Sequence, residues 1–251
     1  MTHRTEERRD LALATAGPQL RAAGEGTSVM GFDGHAAVFS QRTAIGNPLT
    51  WGFYEEIAPG AFTKTLAEGD ARFLVDHDTR LVVSRVSAGS LRLAQDAQGL
   101  AVDADLDTRL SYVSDLVVNL GLSNITGMSF GFRTVKDEWT TVPVQTSEGD
   151  MEAELRILRE VQLFEVSAVT FPAYEGTDAA LRSVGVALAA RGDEAAFDRR
   201  AALRPELLDF RREPAATAAT RGADATQPGE TTGGRQARQM ELLAARYRLA
   251  R

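Results

Sequence analysis

The chain has 251 residues, 43% of them hydrophobic and 25% charged, which suits one well-buried domain with extensions in a soluble globular protein. Its formal net charge of −7 argues against a nucleic-acid partner, and the absence of cysteine excludes disulfides, a thiolate nucleophile and finger-type zinc sites. The polar start, Met1 to Asp10, has no apolar signal region and no run is long enough to cross a bilayer, so the expectation is a cytoplasmic protein without a membrane partner.

Residues 1–27 mix charge with Ala, Gly and Pro and are expected to be a mobile arm ahead of a domain over 28–190. From Val29 to Phe39 apolar segments alternate with Gly31 and Gly34, as in a strand or bent hairpin. Ile45-Gly46-Asn47-Pro48 is turn chemistry, and the aromatic stretch of Trp51, Phe53 and Tyr54 runs on to Ile57. Pro59 is expected to open a short helix in which Phe62 and Leu66 lie one turn apart and Gly69 closes it. Residues 72–77, 81–83, 90–93 and 99–106 read as strands separated by turn residues, and closely spaced short strands point to a small barrel or sandwich.

Thr108 can cap a helix carrying Leu110, Val113, Val117 and Leu120, with Gly121 as its stop, and this helix delivers the chain to a strand at 126–133. Residues 142–151 are polar and expected to be a surface excursion before strands at 154–161 and 163–171, which Pro172-Ala173 end. Asp178 begins a helical pattern with Leu181, Val184 and Leu188, and Pro205 suits the first residue of another helix bearing Leu208, so 191–212 reads as a helical extension. From Glu213 to Gly234 there is no Val, Ile, Leu, Met or aromatic residue, and such a segment cannot bury enough surface to offset its ordering entropy. It reads as a disordered linker to a basic amphipathic helix over 235–251, whose Met240, Leu243, Tyr247 and Ala250 line one face as a docking element.

At period two, Met128, Phe130 and Phe132 fall on one face of their strand, and Ser129, Gly131 and Arg133 on the other. The neighbouring glycines let something large approach the Ser129 hydroxyl, which suits a nucleophile as well as a tight packing contact. Of three histidines, His3 lies in the arm and His35 in an early Gly-bounded strand. His77 follows an apolar strand, sharing a face with Phe73 and Val75, and is flanked by Asp76 and Asp78. It is positioned like a general base; the alternative is a surface histidine paired with either aspartate. Glu165 sits in the apolar stretch 163–169, where a buried carboxylate needs a partner such as a histidine, unless it shares a wet face with Ser167.

Metal chemistry finds little support. No second histidine stands at helical spacing from His77, and the triplet Asp103, Asp105, Asp107 has Thr108 and Ser114 where a calcium loop needs Gly and Glu. Alternating aspartates on a strand's solvent face account for the triplet better. With no P-loop, dinucleotide fingerprint or Gly-x-Ser-x-Gly elbow either, neither metal nor cofactor is expected.

Five motifs in order carry a resemblance: Ile57-Ala58-Pro59-Gly60-Ala61-Phe62, Val75-Asp76-His77-Asp78, the turn Asp96-Ala97-Gln98-Gly99-Leu100, Gly127-Met128-Ser129-Phe130-Gly131-Phe132, and the run from Phe164-Glu165-Val166-Ser167 to Phe171-Pro172-Ala173. Over about residues 29 to 185 the chain resembles the prohead protease family of tailed bacteriophages, the maturation peptidases of HK97-type capsids. The resemblance implies an α+β, mainly β fold: a small barrel like that of herpesvirus assemblin, flanked by helices. It implies a serine peptidase with Ser129 as nucleophile, His77 as base and Glu165 as the third member, Asp76 or Asp78 standing in as fallback.

Further implications concern partners and place. The substrates would be scaffold or the scaffolding region of the major capsid protein, and the enzyme itself, inside a procapsid in the host cytoplasm. Homo-oligomers are allowed. The linker would be the self-cleavage region, with the basic helix targeting an acidic capsid or scaffold surface. Arg133 and backbone amides are oxyanion candidates. The rival class is a non-enzymatic capsid assembly or scaffolding module in which Ser129 merely packs; a general bacterial hydrolase is a third option.

Overall fold

The computed structural model describes residues 7–12, 19–22, 26–147, 149–170 and 178–211, so the expectations for the linker at 213–234 and the helix at 235–251 lie outside the described residues. In chain order the elements are β1 (Glu7–Ala12), β2 (Gln19–Arg21), β3 (Val29–Val38), β4 (Thr43–Ile45), β5 (Phe53–Ile57), α1 (Thr63–Glu68), β6 (Arg72–Val75), β7 (Asp78–Arg85), β8 (Leu91–Gln95), β9 (Gly99–Asp107), α2 (Ser111–Gly121), β10 (Gly127–Thr146), β11 (Gly149–Val169), α3 (Asp178–Arg191), α4 (Glu194–Leu203) and a 3-10 turn at Pro205–Phe210. Within the stretch expected to be an arm, β1 and β2 are strands.

The chain is mainly β with flanking helices, arranged in two sheets. The larger runs β1-β10-β11-β5-β4, with β6 also on β11 and β7 on β6; the smaller runs β2-β3-β9-β8. The barrel anticipated from the short strands is not closed among the described residues, because the larger sheet ends on β1, β4 and β7 and the smaller on β2 and β8.

Period two explains how the sheets meet. Along β9, Leu100, Val102, Ala104 and Leu106 are buried, while Asp103 and Asp105 face outward to Arg92, and Asp103 also to Arg21. With Asp107 paired to Arg109, these ion pairs account for the aspartate triplet. Met128, Phe130 and Phe132 of β10 turn into the same core, Phe130 stacking on Phe132 at 4.9 Å between centroids and meeting Phe62 edge-on at 5.7 Å. Gly99 is dictated by close approach of two strands: a Cβ there would stand 1.9 Å from the Ala37 carbonyl oxygen.

Several local expectations shift. The short helix starts at Thr63 rather than Pro59, with Phe62 at its N-cap and Gly69 donating back to the Thr65 carbonyl at its end. The Thr108 hydroxyl donates to the Ser28 carbonyl instead of capping α2, which begins after an exposed Leu110; Leu116 takes the buried place on that helix. Residues 142–151 are no irregular excursion but the outer end of one long hairpin, paired from Gly127↔Val169 out to Thr146↔Gly149. A second core cluster packs α3 and α4 onto Trp51 and Phe53. The break between those helices is legible as Gly192 at positive φ followed by Asp193, whose carboxylate accepts the Ala196 N–H.

Candidate active site

The inner end of the β10–β11 hairpin sets the geometry. Residues directly opposite on antiparallel strands share a face, and here Ser129 faces Ser167 while Gly131 faces Glu165. Gly131 has no side chain, so nothing from β10 stands beside the carboxylate at that level. On the other side of β11, β6 runs parallel with Arg72 level with Glu165 and Val75 level with Ala168.

His77 reaches this face through a turn, not by strand periodicity. Asp76 and His77 are the two residues between the paired Val75 and Asp78, and both take positive φ, 46° and 59°. Positive φ at both central residues suits a two-residue hairpin, usually through Asn-Gly or Asp-Gly. For non-glycine residues it costs on the order of 1–2 kcal/mol each, and Asp and His are among the side chains that tolerate it. Three contacts hold the turn. The Asp76 N–H donates to the Ala168 carbonyl (2.9 Å), the Asp76 carboxylate accepts the Thr170 N–H (2.8 Å) and hydroxyl (3.0 Å), and the His77 N–H donates to Ser167 Oγ (3.0 Å).

The turn folds the imidazole back onto β11, where His77 Nδ1 lies 2.7 Å from Glu165 Oε1. Glu165 is 5% exposed, so the wet-face alternative for it fails. A carboxylate acceptor requires Nδ1 to carry the hydrogen, which places the ring's basic lone pair on Nε2. Of the two fallback carboxylates, Asp76 is engaged with Thr170. Asp78 pairs with Arg80, whose hydrogen bonds hold its carboxyl down at about 2. Glu165 is therefore the carboxylate at the imidazole. Ser167 went unrecognised as a site residue; its signal was the Glu165-Val166-Ser167 spacing, which puts both side chains on one face.

Ser129 shares that face, but it is fully buried rather than open to approach. The cause is β1, which pairs antiparallel along the free edge of β10 from Glu7↔Phe132 to Ala12↔Gly127, with Asp10 opposite Ser129. Ser129 Oγ donates to the Arg9 carbonyl oxygen at 2.9 Å. Arg133, the oxyanion candidate, points its guanidinium at Gln162 Oε1 (2.5 Å). It lines a groove of about 490 Å³ with Lys64, Arg72, Gln162 and Phe164 that continues from the level of Glu165.

On the opposite side of β1, Glu7 and Arg9 enter a buried charge cluster that sequence reading missed. Arg9 binds Glu55 through two nitrogens (2.5 and 2.8 Å) and Glu7 (2.7 Å); Arg156, fully buried, binds Glu7 (2.7 Å), Glu55 (3.3 Å) and Asp137 (2.6 Å). Burial alone would push the Glu7 carboxyl up, but Arg156 and Arg9 outweigh it and hold it at about 2. Burial likewise opposes the charge on Arg156, and Glu7 and Glu55 more than compensate, raising its pKa.

Comparison with known proteins places the chain in a family. A family model described as caudovirus prohead serine protease matches residues 19–190, which takes in His77, Ser129 and Glu165. The chain is 31% identical over 171 residues to the prohead protease of Enterobacteria phage HK97, covering 66% of this chain and 66% of that protein's length. The chain thus spans about two thirds of that relative. A solved structure of the bacteriophage T4 capsid assembly protease aligns over 66% of this chain and 99% of its own at 11% identity, with a TM-score of 0.35, too loose to carry an argument. With more than half of its residues matched by the family model, the chain belongs to the caudovirus prohead serine proteases.

Proposed function

We propose that this chain is a prohead maturation serine peptidase acting through Ser129, His77 and Glu165, on scaffold, on the scaffolding region of the major capsid protein, and on itself, inside the procapsid in the host cytoplasm. The observation that carries the reading is the 2.7 Å contact between His77 Nδ1 and Glu165 Oε1 on the sheet face that also bears Ser129. In this mechanism His77 Nε2 takes the Ser129 proton as Oγ bonds to the scissile carbonyl carbon. The resulting imidazolium is stabilised by Glu165 and returns the proton to the departing amine. Water then attacks the acyl-enzyme by the same proton path and releases the second product. The assemblin-like fold that the resemblance implies belongs to this reading.

The buried pair favours it over the rival. A two-residue hairpin takes positive φ whatever the protein does, whereas an imidazole held on a buried carboxylate beside a serine is what a triad needs and a packing role for Ser129 does not call for. The burial of Ser129, which the rival explains directly, comes here from the pairing of β1 along β10. The test is co-expression with the capsid protein from the same phage, read on one gel. Processing by the wild-type chain, lost on the order of 10⁴-fold in Ser129→Ala, supports the peptidase. Processing within about tenfold of wild type in that variant removes Ser129 from the nucleophile's role.

A further inference from the structure

We propose that β1 is a self-supplied blocking strand: it occupies the edge of β10 on which the main chain of an extended peptide substrate docks, and the site opens when β1 leaves. This rests on the peptidase reading of Ser129. The six-residue register is the one a substrate strand would use, because it runs the whole length of the inner β10 edge with Ser129 opposite its middle. The contact is substrate-like but unproductive. Ser129 presents its hydrogen, not a lone pair, to the Arg9 carbonyl, and it does so to the oxygen, so no attack on that peptide bond follows.

Two further observations mark β1 as an addition able to come and go. The family match begins at residue 19 and so does not include β1. The charges β1 brings into the buried cluster are one acid and one base, Glu7 and Arg9. When Glu7 and Arg9 leave together, Arg156 keeps Glu55 and Asp137, and no buried charge is orphaned. Removing Arg9 alone would leave Glu7, Glu55 and Asp137 crowded on Arg156, so the pair docks or departs best as a unit. Its departure bares the N–H and C=O groups of the β10 edge, which an extended peptide can pair with.

The experiment compares the full chain with a chain lacking residues 1–12 and with the full-length double variant Glu7→Gln/Arg9→Gln. A fluorophosphonate probe, which loses fluoride as Ser129 Oγ bonds to phosphorus, is located by peptide mass spectrometry. Hydrogen exchange of the β10 amides reports whether β1 has left. We expect Ser129 to label at least about tenfold faster in a folded opened form than in the full chain. A synthetic peptide of residues 5–14 should slow it again. Equal rates in the full chain and in an opened form whose β10 amides have lost protection would overturn the blocking role while leaving the peptidase intact. No labelling at all in such an opened form overturns the peptidase reading, and the blocking role with it.

Discussion

Ser167 lies directly opposite Ser129 on the neighbouring strand, and its hydroxyl accepts the His77 backbone N–H at 3.0 Å. One small side chain thus spaces the proposed nucleophile from the proposed base and pins the turn that carries the imidazole. The arrangement makes Ser167 as testable as the proposed triad.

Glu165→Gln keeps the side-chain volume but offers Nδ1 an amide in place of a carboxylate. We expect kcat for capsid-protein cleavage to fall on the order of 10³–10⁴-fold with the fold retained, because the imidazolium loses its stabilising charge. Circular dichroism alongside the rate measurement checks both halves, and a loss of less than about tenfold would remove Glu165 from the triad.

Ser167→Ala takes away the acceptor of the His77 N–H. Leaving that donor unmet should cost about 1–3 kcal/mol of stability, measured by urea unfolding. The cleavage rate should fall as the turn loosens, and Ser167→Thr, which keeps a hydroxyl, should recover most of it.

The turn itself sorts substitutions at Asp76 by backbone preference. Asp76→Asn accepts positive φ and should be nearly neutral for folding, whereas Asp76→Val, with a β-branched side chain and no acceptor for Thr170, should lose about 2–4 kcal/mol. Equal stability of the two variants would show that the turn is not under the strain its φ values imply.

Arg156 neutralises Glu7 and Glu55 in an interior that excludes water. Arg156→Met leaves them facing Arg9 alone, and we expect a loss of about 3–5 kcal/mol in thermal or urea unfolding. A stability within about 1 kcal/mol of wild type would mean the cluster relaxes around the change.

The Glu7 carboxyl titrates at about 2 in the folded chain against an ordinary 4.5, the cost of burial being outweighed by Arg156 and Arg9. Its contribution to stability is therefore complete above pH 4.5 and is lost as pH falls toward 2. Comparison of wild type with Glu7→Gln across that window should show a gap on the order of 3 kcal/mol that closes in acid. The protection of the β10 amides, taken relative to their intrinsic exchange rate at each pH, should fall in acid as β1 loosens.

Much of the architecture was written locally. Period-two burial along β9 and β10, the glycine stop of α1 and the helical pattern from Asp178 depend on neighbours a few residues away, and each surfaced where its pattern placed it, whereas Gly121 stands inside α2, which Leu122 caps. The motif residues His77, Ser129 and Glu165 were legible for the same reason, as side-chain types at marked positions. Alternation along a straight strand could not foresee the path of His77. Continued beyond Val75, it would carry position 77 level with Thr170, roughly 16 Å from Glu165 at about 3.3 Å per residue. The positive-φ turn that folds the ring back is held by Ser167 and Thr170, some 90 residues away in the chain. The burial of Ser129 and the cluster of Glu7, Arg9, Glu55 and Arg156 arise the same way, from β1 on β10 and β5 on β11, each paired across more than a hundred residues. Local sequence sets which groups are available; the long-range register decides which of them meet, because hydrogen-bonded edges and buried charges are satisfied only by whatever partner the fold brings alongside.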